Sequence, residues 1–264
     1  MAYGVTRWKN VLWGMFIYAR SKQRPDRIKA LILSGVRAEL GPKYDIEKHF
    51  TPRYKPWDQR LCLVPDGDLF KEIRDGRASV VTDEIETFTE TGIKLKSGED
   101  LAADLIVTAT GLELQVFGNL ELTVDGARVD PAKLMNYKGM MYSNVPNFAA
   151  AIGYTNASWT LKCDLTCEYV CRLLNLMDKK GFQQCTPRLN DPSVTQEPWI
   201  DFSSGYIRRA ADKVPKQGSK KPWRLNQNYA KDIMMLRLGA LEDGTMEFKS
   251  AQAQPVAAKE VASA

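Results

Sequence analysis

Apolar positions along the chain recur first at helical and then at strand-like spacing. Trp8, Val11, Leu12, Met15, Phe16 and Ala19 fall on one helical face, which predicts a helix over 6–23 with basic residues at both ends. Pro25 suits the first turn of a second helix over 26–33, and Gly41-Pro42 breaks that pattern. Farther on, Leu161, Leu165, Tyr169, Leu173 and Met177 recur every fourth residue, with Leu174 alongside. They predict a long helix that begins at Asn156 or Ser158, both good N-caps, and ends at Gly181. Short strands are expected over 78–82, 85–89 and 93–96, with turns at Thr91-Gly92 and Ser97-Gly98. Asp125-Gly126 centres a hairpin over 122–129, and 137–142 and 146–154 read as further strands.

The run Asp104-Leu105-Ile106-Val107-Thr108-Ala109-Thr110-Gly111 is continuous and apolar between a polar start and a glycine. It predicts a strand buried on both faces, as in a parallel sheet. Thr110-Gly111 is a small exit where a backbone or a cofactor can approach closely. On the residues alone, a plain strand end and a ligand contact both stand.

The stretch 49–62 is aromatic and basic, and Pro52 and Pro56 exclude regular helix or central strand. It reads as a shaped surface loop of the kind that carries function on a scaffold. His49 is the single histidine, serves no nucleophile motif and reads as structural. Cys163, Cys167 and Cys171 lie at i, i+4, i+8 and read as small buried hydrophobes, since metal and cluster motifs favour tighter spacings. No metal site is expected.

Composition narrows the class. The 264 residues are 44% hydrophobic and 26% charged, ordinary for a soluble globular protein. A net charge of +5 is too modest for a dedicated nucleic-acid binder, so no nucleic-acid partner is expected. The longest apolar run, 11–19, is too short to span a bilayer, and no signal-peptide pattern precedes it. Five irregularly spaced cysteines suggest reduced thiols and a cytoplasmic location. The 6–23 helix carries aromatics with Arg and Lys at its flanks, so it reads either as a peripheral membrane contact or as a helix packed on a core. Residues 187–198 are polar and turn-rich, and 205–211 suit a short helix. In the basic loop 213–224, Lys216, Lys220, Lys221 and Arg224 either draw in an anionic nucleotide or form a solvated face. Beyond Ser250 the composition is that of a disordered tail.

Four of these stretches carry a resemblance. They are the D-x-I-V-x-A-T-G run of 104–111, the 49–62 loop with Gln59-Arg60 after its Pro-aromatic turn, and Pro146-Asn147-Phe148 with Gly153. The fourth is Lys216-Gln217-Gly218-Ser219 followed by Pro222-Trp223-Arg224-Leu225-Asn226-Gln227-Asn228-Tyr229. Together they resemble the class B flavoprotein (Baeyer–Villiger) monooxygenases, of the ethionamide-activating type. The resemblance covers 1–250 and corresponds to the C-terminal half of a family member. It implies an α/β class, a partial two-dinucleotide-binding-domain flavoprotein fold without the N-terminal Rossmann half. Residues 1–111 would end the NADP-binding domain, with a helical insert and a β-meander. Residues 112–185 would return to the FAD-binding domain, 186–250 would form a C-terminal extension, and 251–264 the tail.

The resemblance also implies chemistry. FAD and NADPH would be the cofactors, and O₂ with a ketone or sulfide the substrates. Arg60 would be catalytic, aimed at the flavin edge to stabilise the negatively charged peroxyflavin, a role suited to an always-charged planar fork of donors. Thr110, Gly111, Asn156, Ala157 and Ser158 would contact cofactor, the last three at a helix start whose unpaired N–H groups favour negative charge. Gln59 stands where several relatives have the Lys that grips the 2′-phosphate, so that contact is not implied. The chain contains no G-x-G-x-x-G and no family fingerprint, which lie upstream in the family. The expectation is a truncated or split monooxygenase, impaired as an isolated chain. The alternative is a non-catalytic fragment, or an interaction half that completes an N-terminal partner.

Overall fold

A computed structural model describes residues 2–62 and 64–250, and the expected tail at 251–264 lies outside them. The chain divides into two units. One holds the residues up to Leu114 together with Asp201–Arg209, and the other holds Gln115–Ile200 and the residues from Ala210 on.

The first unit begins with helices α1 (Ala2–Gln23) and α2 (Pro25–Leu40). Pro25 enters α2 at its first turn, and Gly41, at φ 81°, ends it with an N–H to Arg37 O. The helix therefore runs past the expected 26–33, because Gly35 is tolerated and only the left-handed Gly41 stops it. Asp45 caps the short α3 (Ile46–Phe50) by accepting from Lys48 N. Arg74, at the end of α4 (Asp68–Arg74), donates to the carbonyl and carboxylate of Glu39, both at 2.8 Å, and so ties α4 to the end of α2. The α1 helix carries four basic residues and no acidic one, and exposes Val5, Leu12, Trp13 and Phe16. Among the described residues no helix is long and apolar enough to cross a membrane.

An antiparallel meander follows, β1 (Ile85–Thr89), β2 (Gly92–Leu95) and β3 (Asp100–Ala102), in that order. A Cβ at Gly92 would lie 1.9 Å from Leu101 O, so β2 and β3 pair this closely only with glycine there. The expected third strand at 78–82 does not form, and Asp100–Ala102 takes the place beside β2. The largest departure is at 104–111. This run is irregular, with Leu105 81% and Val107 80% exposed. A strand buried on both faces needs paired strands on both edges, and among the described residues no strand pairs with this run.

In the second unit, β4 (Thr123–Val124) and β5 (Ala127–Arg128) form the expected hairpin. Asp125 and Gly126 take φ 49° and 80°, the left-handed pair that a two-residue hairpin turn requires. Residues 137–142 are not one strand. Lys138 (φ 52°) and Gly139 (φ 81°) make a second tight turn between β6 (Asn136–Tyr137) and β7 (Met141–Tyr142). The expected strand at 146–154 is also absent; the run makes only scattered backbone bonds, Asn147 N to Cys185 O at 3.0 Å and Ala150 N to Met140 O at 2.8 Å. Around β7, Leu134, Tyr142 and Val145 form a buried cluster on which Phe117 and Phe148 pack edge-on to one another.

Helix α5 (Trp159–Lys180) is the spine of this unit. Leu161, Leu165, Tyr169, Leu173 and Met177 are all buried, as their spacing predicts, and Gly181 at φ 69° ends the helix. The cysteines are a correction. Cys167 and Cys171 are exposed and Cys163 half-buried. They are offset by two positions from the buried stripe, about 200° around the helix, and so point away from the core. Strand β8 (Phe182–Pro187) leaves α5, and β9 (Gln196–Pro198) follows it. Helix α6 (Gly205–Ala210) lies almost wholly in the segment that belongs to the first unit. Strand β10 (Lys216–Gly218) pairs antiparallel with β9, and β11 (Met246–Ser250) with β8. Between them, α7 (Tyr229–Asp232) leads into a π-helical turn at Ile233–Arg237, whose Leu236 carbonyl accepts from Arg172 of α5.

Candidate functional site

Arg60, Thr110 and Gly111 belong to the first unit, and Asn156, Ala157 and Ser158 to the second. Each group is built by different local physics.

The Arg60 loop is held from its base. Lys22 of α1 reaches it with an ion pair to Asp58 at 3.1 Å and a bond to Trp57 O. Lys29 of α2 donates to Pro52 O at 2.5 Å, and Tyr18 packs edge-on against Trp57. Ser203 N and Oγ both donate to Asp58 O at 3.0 Å, so the 201–209 segment also grips the loop. Arg60 itself is exposed, and its guanidinium makes no hydrogen bond or ion pair among the described residues. Trp57 Nε1, three residues away, is buried without a partner. The loop thus carries both an uncommitted cation and, three residues earlier in the chain, an unsatisfied buried donor.

The same 201–209 segment meets the Thr110-Gly111 exit. Arg209 donates to Leu112 O at 3.1 Å, and a Cβ on Gly111 would sit 3.4 Å from its guanidinium. Gly111 has φ 123°, a conformation side chains rarely adopt. The structure therefore ties the Arg60 loop and the Gly111 exit to one segment. Arg209 and Ser203 had no role on sequence grounds, because nothing local marks them as partners of residues 97 and 145 positions upstream.

The loop before α5 is built from long-range hydrogen bonds. Thr155 N and Oγ1 donate to Gln227 Oε1 at 3.0 and 3.2 Å, and Asn156 Nδ2 donates to Gln227 O at 2.9 Å. Behind the loop sits a buried cluster. Asp232 Oδ2 accepts from Tyr154 Oη at 2.7 Å and from Lys162 Nζ at 2.9 Å, and Oδ1 accepts from Asn226 at 2.8 Å. Lys162 is 4% and Asp232 1% exposed. Burial pulls the Lys162 pKa below the ordinary lysine range, and the Asp232 charge opposes that pull. Burial also pushes the Tyr154 hydroxyl well above its usual range, with Asp232 adding to the effect, so it stays a neutral donor. Both groups are spent on Asp232. A cavity of about 30 Å³ beside them, lined by Thr155, Gln227 and Lys162, has room for a water or two, not an organic substrate.

Ser158 occupies the N-cap of α5 but does not cap it. Its hydroxyl pairs with Thr160 Oγ1 at 2.8 Å. The first-turn N–H groups of a 22-residue helix are left without a side-chain acceptor, and the first turn has no acidic residue. Thr155–Ala157 are half-buried and Ser158 is exposed, so an electron-rich group can reach this helix start.

Of the basic loop, Lys216 donates to Ala211 O, Lys220 to Ser193 and Arg224 to Glu197, which leaves Lys221 as its uncommitted cation among the described residues. His49 Nδ1 pairs with Thr82 Oγ1 at 2.9 Å. Among the described residues no group of three or more His, Cys, Asp or Glu is placed to hold a metal ion.

No family model matches the chain. It is similar to the FAD-containing monooxygenase EthA of Mycobacterium tuberculosis, 52% identical over 248 residues that make up 94% of this chain and 51% of that protein. It is 48% identical over 249 residues to the probable FAD-binding monooxygenase AlmA of Acinetobacter baylyi, covering 94% of this chain and 50% of that protein. The putative FAD-containing monooxygenase MymA of Mycobacterium tuberculosis is 46% identical over 257 residues, 97% of this chain and 52% of its own. The chain spans about half the length of the curated relatives it matches. Among solved structures, the FAD-bound form of OTEMO superposes with a TM-score of 0.54 at 18% identity, over 86% of this chain and 46% of that one. That likeness establishes a shared partial α/β fold.

Proposed function

We propose that this chain, which belongs with the FAD-containing monooxygenases as the C-terminal half of such a sequence, supplies part of the cofactor surface and the fixed cation of a flavin-dependent oxygenation. The observation that carries the reading is the similarity, over 94% of the chain, to proteins named for FAD and monooxygenation. The geometry fits that cofactor at two places: the uncapped, accessible start of α5, and the uncommitted guanidinium of Arg60.

FAD, when bound, supplies the redox chemistry that activates O₂. Asn156, Ala157 and Ser158 would hold its electron-rich edge at the α5 N–H groups. Thr110 and Gly111 would let the chain approach a cofactor closely, since Gly111 carries no side chain. Arg60 would place a permanent positive charge where negative charge develops, which is worth most in a water-excluded site. NADPH would be the reductant. One oxygen atom of O₂ would pass to a ketone or a sulfide, and the other would leave as water.

The test is Arg60→Ala in this chain combined with FAD and the separately produced N-terminal half of the Mycobacterium tuberculosis relative. Substrate-dependent oxygenation should fall by about 10²–10³-fold. Thermal stability should hold within about 0.5 kcal/mol, because Arg60 is exposed and unpaired. Unchanged oxygenation would remove Arg60 from the chemistry.

A second reading is favoured by a separate observation. Leu105, Val107 and Leu112 are strongly exposed, and Cys167, Cys171 and Leu174 are exposed on α5. Apolar surface of this kind marks an interaction site. On this reading the chain is an interaction half that completes an N-terminal partner and performs no catalysis alone. Capture of that half by the chain without any gain of flavin would favour it over the first reading.

A further inference from the structure

We infer that Gln227 is the positioning residue that sets the Thr155–Ser158 loop, and with it the open N-terminus of α5, for the cofactor. The inference takes its ligand from the flavin reading above, but its geometry stands apart from it.

Both oxygens of Gln227 are spent on one loop. The side-chain oxygen accepts from Thr155 N and Oγ1, and the main-chain oxygen from Asn156 Nδ2. The loop has no ladder of its own, since 146–158 forms no strand. Ser158 turns its hydroxyl to Thr160 and leaves the first turn uncapped, so where those N–H groups point is set by the residues just before them. Gln227 is the residue that fixes them from outside.

The clamp has a rigid base. Asn226, on one side, donates to Asp232 Oδ1, and Asn228, on the other, caps α7 by accepting from Lys231 N at 3.0 Å. Asp232 is itself bound to Tyr154, immediately before the clamped loop, and to Lys162 in the first turn of α5. The C-terminal segment thus grips the loop from both ends, by Asp232 at Tyr154 and Lys162 and by Gln227 between them. Gln227 also takes φ 45°, a left-handed conformation that non-glycine residues adopt at a cost. A turn needed only to reverse the chain would be better served by glycine. A side chain retained at this backbone angle is in keeping with the use of its oxygen.

Three variants of the full chain separate the roles. Gln227→Ala removes the acceptor. Gln227→Gly removes it too, but relieves the backbone. Gln227→Glu keeps an oxygen that accepts from Thr155. The first readout is amide hydrogen exchange at Thr155. It should accelerate about tenfold or more in Q227A and Q227G and stay slow in Q227E, while the amides of Leu165 and Tyr169 in α5 do not change. The second readout is the FAD dissociation constant of the chain assembled with the N-terminal half of the Mycobacterium tuberculosis relative. It should rise about tenfold in Q227A and return towards the parent value in Q227E.

Unchanged Thr155 exchange in Q227A would overturn the clamp. So would a Q227G chain that keeps Thr155 protected, since the turn alone would then suffice. Freed Thr155 with undiminished FAD affinity would overturn the positioning role. If the unsubstituted assembly binds no FAD while Thr155 behaves as expected, the flavin reading fails and the clamp stands without that ligand.

Discussion

Asp232 accepts three hydrogen bonds at a position 1% exposed, and each donor becomes a liability without it. Asp232→Ala would strand a buried ammonium and should cost about 3–5 kcal/mol in urea unfolding. The double variant Lys162→Met with Asp232→Leu should cost clearly less than the sum of the two single variants, because it removes both charges together. Strict additivity would show that the pair is not coupled. Asp243 gives a pH signature. Burial alone would raise its pKa, but hydrogen bonds from Lys138 and Tyr137 outweigh that and hold it below the ordinary 3.8. The native state then binds fewer protons than the unfolded one, so this stability is present above about pH 3.8 and is lost as pH falls through the lowered value. Asp243→Asn should flatten that acid limb in unfolding measured from neutral pH downward; an unchanged limb would place the acid sensitivity elsewhere. None of these partnerships was legible in the sequence. Only the fold brings Lys162 to Asp232 and Lys138 to Asp243.

At the scale of elements, α5 was the most legible part of the chain. Five apolar residues at every fourth position and a terminal glycine set its buried face and its end, since helical period and the left-handed cap are local properties. The cysteines were misread because their type suggested burial while their phase, two positions off the stripe, opposed it. Their exposure makes a direct test. Cys167 and Cys171 should be alkylated in the native chain, while buried Cys185, whose thiol burial pushes upward in pKa, should react only after denaturation. Protection of both α5 cysteines in the free chain would contradict the outward phase. Turn chemistry was read well at Asp125-Gly126, where two left-handed residues are adjacent, and poorly at Lys138-Gly139, where a lysine hides the turn. Strands fared worst. The runs 104–111 and 146–154 have strand composition, but a strand is a pairing and its partners need not be near in sequence.

At the scale of the whole molecule, the unpaired runs stand beside a match that takes in 94% of the chain and about half the length of its relatives. The family and the partial fold were legible because the motifs sit in contiguous stretches. The candidate site was legible only in part. Arg60, Gly111 and the α5 start stand in such motifs, whereas Gln227, Asp232, Ser203 and Arg209 act across distances that no local pattern encodes.

On the function proposed above, this chain provides a cofactor surface which becomes complete only with the other half of a monooxygenase. The direct measurement is the visible flavin absorbance of the purified chain after incubation with FAD and gel filtration, alone and with the N-terminal half of the Mycobacterium tuberculosis relative. The chain alone should be colourless, and the mixture should carry near-stoichiometric flavin. Stoichiometric flavin on the chain alone, or none in a mixture whose halves associate, would contradict the proposed function.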